Sequence, residues 1–192
     1  MNQLPLFEHD PIGLKWSKGF LLPMHQHVLV NAIDKLPWDD RMKRRVQQYG
    51  FEYRYDSGSL VSKVTEVPPI LKELADEIYQ AGLMSVIPNS AIINEYLPGQ
   101  GISNHVDSGS FGEEITTVSL LSPVWFDIIS PAGEKRVLDL FPGDVLVMSG
   151  ASRHNYSHGI SKRLTDDGRP RRRRISITFR SVTANPVTVD VI

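Results

Sequence analysis

An imidazole and a carboxylate stand one residue apart in Asn104-His105-Val106-Asp107-Ser108, a short polar stretch between segments that read as β-strands. Successive strand side chains point to opposite faces, so on an extended backbone His105 and Asp107 project from the same face. Together they are two thirds of a metal site. One more histidine would complete a facial triad of two histidines and a carboxylate, which leaves neighbouring positions open on Fe(II) for a co-substrate and O2. The pair alone is weak evidence, since six His and 13 Asp in 192 residues give roughly 0.4 such pairs by chance. Downstream of it the only histidines are His154 and His158. His158 precedes Gly159-Ile160 at a strand end, whereas His154 sits in the Ser152-Arg153 turn, so His158 is the stronger third ligand.

The last apolar segment carries an independent signal. Arg174, Ser176, Thr178 and Arg180 alternate with Ile175, Ile177 and Phe179, which makes a strand with one polar face bearing two arginines. A solvated face would explain the pattern. Inside a small barrel, however, unpaired arginines are costly, and a dicarboxylate ligand would satisfy them through bidentate, charge-assisted bonds.

Composition narrows the chemistry. The chain has no cysteine, which excludes a disulfide framework and thiolate metal or redox chemistry, so any metal must sit on His and carboxylate. The start, MNQLPLFEHDPIGLKW, lacks the basic-then-apolar pattern of a signal peptide, and no apolar run has the length of a membrane span. An intracellular protein, in cytoplasm or nucleus and away from membranes, is expected. A formal net charge of -1 does not imply a polyanion partner by itself; only local basic clusters do. At 192 residues a single domain, acting as a monomer, is expected.

The elements that would position these residues follow from the pattern. Residues 12–22 read as an edge strand leading to Pro23, and residues 24–36 as a helix on which His25 and His27 do not share a face, which makes them solvent or cap histidines. Four basic residues in 41–45 precede aromatics at every second position, Tyr49, Phe51, Tyr53 and Tyr55, closed by a turn at residues 56–59. That strand would either bury its aromatics in the core or act as a lid whose aromatics stack on bases while Arg44 and Arg45 contact phosphates. Residues 68–81 form a scaffold helix with Gly82 at its C-cap. Beyond Pro88 come short strands at 91–96, 102–107, 115–121, 124–129, 136–141, 144–149, 155–158 and 174–182, which argue for a sandwich, barrel or jelly roll rather than a parallel sheet. The polar loop 161–170 reads as mobile and ends in the basic run Arg171–Arg174.

Taken together, Asn94-Glu-Tyr96-Leu-Pro-Gly99, Ile102-Ser-Asn-His105-Val-Asp107, Gly143-Asp144, Ser152-Arg153, Tyr156-Ser-His158-Gly-Ile and Arg174-Ile-Ser-Ile-Thr-Phe-Arg180 resemble, in order and spacing, the AlkB family of Fe(II) and 2-oxoglutarate dependent dioxygenases. Residues 1–90 match more loosely, although Arg44-Arg45-Val46 through Tyr53 is similar to the substrate lid of the branch that acts on tRNA wobble uridines. The resemblance implies a mainly β fold with flanking helices, a double-stranded β-helix (jelly roll) core at 91–183, with N-terminal helices and a lid in 1–90. It implies His105, Asp107 and His158 as the catalytic iron ligands. Arg174, helped by Tyr96, would clasp the far carboxylate of 2-oxoglutarate, with Arg180 and Asn94 near the carboxylate beside the keto group. Ser176 stands where some members carry an Asn, and keeps a hydrogen-bonding group. Arg44, Arg45, Tyr49, Phe51, Ser152 and Arg153 would contact substrate. Gly109 departs from the repair enzymes, which carry an acidic residue there facing a cationic methylated base, and Glu113 or Glu114 is the candidate substitute.

The expected activity is oxidation of an alkylated or modified base in single-stranded or loop RNA or DNA, by demethylation that releases formaldehyde. The alternatives are stable hydroxylation of a modified tRNA uridine, a protein substrate, or a non-catalytic nucleic-acid-binding module.

Overall fold

A computed structural model describes residues 11–41, 43–54, 59–61 and 65–182. In chain order its elements are β1 (Leu14–Ser17), α1 (Pro23–Asp34), β2 (Val46–Tyr49), β3 (Glu52–Arg54), β4 (Ser59–Val61), α2 (Pro69–Gln80), β5 (Ser90–Tyr96), β6 (Ile102–His105), β7 (Glu114–Leu120) and β8 (Val124–Ile129). They continue with β9 (Lys135–Leu140), β10 (Val145–Ser149), the short helix α3 (Gly150–His154), β11 (Ser157–Ile160), β12 (Thr165–Asp166), β13 (Arg169–Pro170) and β14 (Arg174–Arg180). Two antiparallel sheets form the jelly roll. The larger runs β1-β10-β7-β14-β5-β2 and the smaller β6-β11-β8-β9.

Strand alternation gives the large sheet two different faces. Outward, Ile93, Val118, Leu120, Val145, Val147, Ile175, Ile177 and Phe179 pack with Leu29 and Ile33 of α1 and Leu71, Leu74 and Ile78 of α2 in one apolar core. Both helices start with Pro in the first turn, where its missing N–H costs nothing. His25 and His27 lie on the exposed side of α1, His27 within hydrogen-bond distance of Asn31. Inward, Leu146 and Tyr96 meet Phe126, Ile128, Leu138 and Ile160 of the small sheet in a second core. That core closes one end of the roll, and the polar residues of β5, β7 and β14 face the open end.

Four expectations change. The single aromatic strand over 49–55 is broken: Gly50 turns at φ +79, and a Cβ there would lie 2.0 Å from the Asn89 carbonyl oxygen, so β2 joins the large sheet while β3 pairs separately with β4. Tyr55 and most of the turn at 56–59 lie outside the described residues. Strand 102–107 ends at His105, which places Asp107 in the following loop. The strand expected at 155–158 starts at Ser157, after an unforeseen α3. Finally, the loop 161–170 holds the β12–β13 hairpin, and buried Asp166 ties it down through Arg171 (2.7 and 2.8 Å) and Arg163 (3.1 Å).

Candidate metal and co-substrate site

The three expected ligands converge. His105 and His158 are direct partners in the β6–β11 register, with ring centroids 4.5 Å apart. Gly159 permits that approach: a Cβ there would lie 2.4 Å from Asn104 Oδ1. Asp107 reaches the same point from the loop, and one ligand atom from each residue lies within 4.8 Å of the others. Asp107 Oδ2 is 3.5 Å from His158 Nε2, and Oδ1 is 3.7 Å from Arg180 Nη2.

Ligand chemistry is prepared in the protein. His105 Nδ1 donates to the Ser103 carbonyl oxygen at 2.9 Å, which leaves Nε2 with a lone pair. Burial pushes the His158 imidazole down to about 4 despite the opposing pull of Asp107, so at neutral pH it is an uncharged donor. Burial alone would raise Asp107, but Arg180, His158, His105 and Arg153 outweigh it and hold the carboxyl below its usual value. Asp107 Oδ2 and His158 Nδ1 are buried without a hydrogen-bond partner. Two imidazoles and one carboxylate with uncommitted buried atoms fit an open Fe(II) site.

Facing this triad, β14 and its neighbours present the expected co-substrate residues in register. Arg174 lies opposite Tyr96, and Ser176 lies between Asn94 and Ser119. Arg174 is 2% exposed. Its Nη2 donates to Ser119 Oγ at 2.7 Å, its guanidinium lies 5.3 Å from the Tyr96 ring, and Nε and Nη1 have no partner. Burial lowers it to about 10, still charged at neutral pH. A buried cation with two free donors on a planar fork fits a carboxylate. Arg180 Nε is likewise buried and unpartnered. Ser119 escaped sequence reasoning; its place on the alternating face of 115–121 was the available signal. Phe126, stacked on His158 at 5.5 Å, carried none.

All of these residues except Ser119 line a cavity of about 860 Å³ that also takes in Thr117, Thr178, Phe111, Ile115, Val106 and Met148. Its described lining holds five cations (Lys43, Arg44, Lys162, Arg174 and Arg180) and a single acid, Asp107.

The expected substrate residues divide. Arg44 reaches the cavity and donates from Nε to Asn94 Oδ1 at 2.9 Å. Arg45 points away, binds Glu95 through two bonds of 2.6 and 2.7 Å, and lies over Trp38. Tyr49 is 6% exposed in the helix-side core, its hydroxyl donating to Gln47, because residue parity on β2 turns it from the cavity. Phe51 packs against the cluster of Phe111, Ile115 and Val182 and does not line the cavity. Ser152 is fully buried in the capping box of α3. Arg153, also buried, bonds the main chain beside Asp107. In the basic run, Arg171 is bound by Asp166 and Arg173 by Glu95 and Asp34; Arg172 is exposed and Arg174 belongs to the cavity. Gly109 faces open space, Glu113 pairs with His154, Glu114 accepts from Ser85, and none of the three lines the cavity.

The family model of the 2OG-Fe(II) oxygenase superfamily matches residues 20–180. The chain is 34% identical, over 81% of its length, to the tRNA (carboxymethyluridine(34)-5-O)-methyltransferase alkbh8 of Xenopus tropicalis, and covers 26% of that protein. An Arabidopsis thaliana alkylated DNA repair protein ALKBH8 homolog is 29% identical over 91% of this chain and 59% of its own length. The chain thus spans about a quarter of the first of these relatives. Among solved structures, OsALKBH1 superposes with a TM-score of 0.72 at 19% identity, over 91% of this chain and 99% of that one. No helix among the described residues is long and apolar enough to cross a membrane.

Proposed function

The chain belongs to the 2OG-Fe(II) oxygenase superfamily and, within it, to the AlkB family of 2-oxoglutarate-dependent dioxygenases, and on that premise we propose that it hydroxylates a modified base in single-stranded or loop nucleic acid. Fe(II), with 2-oxoglutarate and O2 as co-substrates, would supply the oxidising power to hydroxylate a C–H bond. His105, Asp107 and His158 would hold the metal. Arg174 would grip the far carboxylate, its guanidinium oriented by the bond from Nη2 to Ser119 Oγ. Arg180 and Asn94 would orient the other end. Phe111, Ile115 and Phe126 give the cavity an apolar wall beside the proposed reacting centre.

The observation that carries the choice of substrate is the charge of the described cavity lining: with Asp107 given to the metal and Arg174 and Arg180 to the co-substrate, Lys43, Arg44 and Lys162 remain and no acid faces them. Such a lining disfavours a cationic methylated base and favours a neutral or anionic one beside phosphates. If the oxidised carbon were an N-methyl group, the hydroxylated product would collapse to formaldehyde and free base; on a carbon-bound substituent the alcohol is stable. The names of the relatives support a nucleic-acid substrate, and the tRNA enzyme among them supports a modified uridine.

The test is mass spectrometry of nucleosides from bulk tRNA and from methylated single-stranded DNA after incubation with enzyme, Fe(II) and 2-oxoglutarate. The expected result is a modified uridine heavier by one oxygen atom, with matching succinate. Formaldehyde and a lost methyl group would support demethylation instead, and nucleic acids left unchanged while a peptide is oxidised would overturn the reading.

A further inference from the structure

We propose that Arg153 is a positioning residue, which fixes the loop after β6 so that the Asp107 carboxylate stands in the metal site. This rests on the metal-site reading above. Arg153 is 1% exposed and, among the described residues, the largest fully buried side chain by volume. A buried guanidinium ordinarily meets a carboxylate, since burying a cation without one is expensive. Here the hydrogen bonds go to main-chain carbonyls, Nη1 to Asp107 at 2.8 Å and Nη2 to Ser108 at 2.6 Å. The backbone at Asp107 has left the β6 ladder, which ends at His105. The two parallel donors of one planar group replace the ladder bonds the chain has lost there, and set the direction from which the carboxylate approaches the histidines.

The other end of this brace is also fixed. Arg153 lies on α3, whose start is closed by the reciprocal bonds of Ser149 and Ser152. Ser149 N–H and Oγ both donate to the Gly13 carbonyl (2.9 and 3.0 Å), and Ser152 N–H donates to that of Ile12 at 3.0 Å. Gly13 adopts φ +89, and a Cβ there would lie 2.0 Å from the Ser149 carbonyl oxygen, so only glycine admits this contact. Directly after α3 the chain enters β11, which carries His158. Arg153 therefore ties the loop bearing one ligand to the segment that leads into another, with the edge strand as anchor.

Groups that orient metal ligands typically change metal affinity ten- to a hundredfold when removed. In equilibrium titrations of the metal-free full chain with Mn(II), read by electron paramagnetic resonance of the free ion, Arg153→Met should weaken binding by about that factor. Arg153→Lys, which can reach one carbonyl but not both, should fall between Met and wild type. Melting temperatures on the same samples separate positioning from scaffolding. If the folded Met and Lys variants bind Mn(II) within about twofold of wild type, whatever their melting temperatures, Arg153 only supports the fold and the proposal is overturned. Should Arg153→Met fail to fold, Arg153→Lys decides by the same criterion. Asp107→Ala distinguishes the two levels: wild type that binds no better than this variant would remove the metal-site reading itself, and with it the role of Arg153.

Discussion

The two faces of the large sheet use the same residue types in opposite ways. Arg173 and Arg174 are adjacent, as are Arg44 and Arg45, yet in each pair one member closes on a carboxylate and the other faces the cavity. Outward, Glu95 (2% exposed) gathers Arg45 and Arg173, and Arg173 also holds Asp34 at 2.8 Å. This network pins the C-terminal end of α1 and the chain entering β2 to β5 and β14, the strands that carry the proposed co-substrate residues. Inward, Arg174 and Arg180 keep donors without partners, and Arg44 shares Asn94 with the cavity. Parity on a strand, more than residue type, decides whether an arginine is mortar or ligand binder. An outward change should therefore harm stability and spare the co-substrate, while an inward change should do the reverse.

The largest effect is expected outward. Truncating a buried aromatic costs about 3 to 5 kcal/mol, so Tyr49→Ala should lower stability by that order in a denaturant titration, with 2-oxoglutarate affinity of the folded protein unchanged. Weaker oligonucleotide binding at full stability would instead put Tyr49 in the substrate lid. Inward, Arg174→Lys replaces a fork by a point charge. Its 2-oxoglutarate dissociation constant, from calorimetry, should rise ten- to a hundredfold, about 1.5 to 3 kcal/mol, with little change in melting temperature.

Glu95→Gln should be milder, on the order of 1 kcal/mol, because Arg45 and Arg173 are partly exposed and screened. It should leave 2-oxoglutarate affinity intact. The hydrogen bond from Arg45, with Arg173 adding to it, holds the Glu95 carboxyl below its ordinary value against the cost of burial. A depressed carboxylate stabilises the fold above its unfolded pKa of about 4.3 and loses that contribution as pH falls through the folded value. Acid titration of the melting temperature should accordingly be shallower in Glu95→Gln. The smallest effect is electrostatic: Lys162→Ala at the cavity should reduce the logarithmic salt slope of single-strand binding by about 0.7, and Arg172→Ala, outside the cavity, should not.

The grouping of His105, Asp107 and His158 was readable from the His-x-Asp spacing, the shortage of downstream histidines and the resembled motif, although only the two histidines meet through strand register and Asp107 comes from the loop. The polar face of β14 was legible from alternation alone. Alternation does not say which face looks inward, and that is why Tyr49 and Arg45 read as substrate contacts when they belong to the helix side. The basic run misled for a related reason: the carboxylates that neutralise it, Asp34, Glu95 and Asp166, are identified only once the chain is folded. Ser119 was hidden likewise, and Arg153, read as a substrate contact, was singled out for a different reason, since a serine in a strand and an arginine in a turn take their meaning from the Arg174 guanidinium and the Asp107 carbonyl they bond.

On the proposed function, one cavity would hold Fe(II) on the small-sheet side and 2-oxoglutarate on the inward face of the large sheet. Anaerobic titration of Fe(II) and 2-oxoglutarate together, followed in the visible spectrum, tests it directly. A weak charge-transfer band should appear at one equivalent, vanish in Asp107→Ala, and require far more 2-oxoglutarate in Arg174→Lys. A band that survives Asp107→Ala, or that disappears only with His154→Ala, would contradict the account.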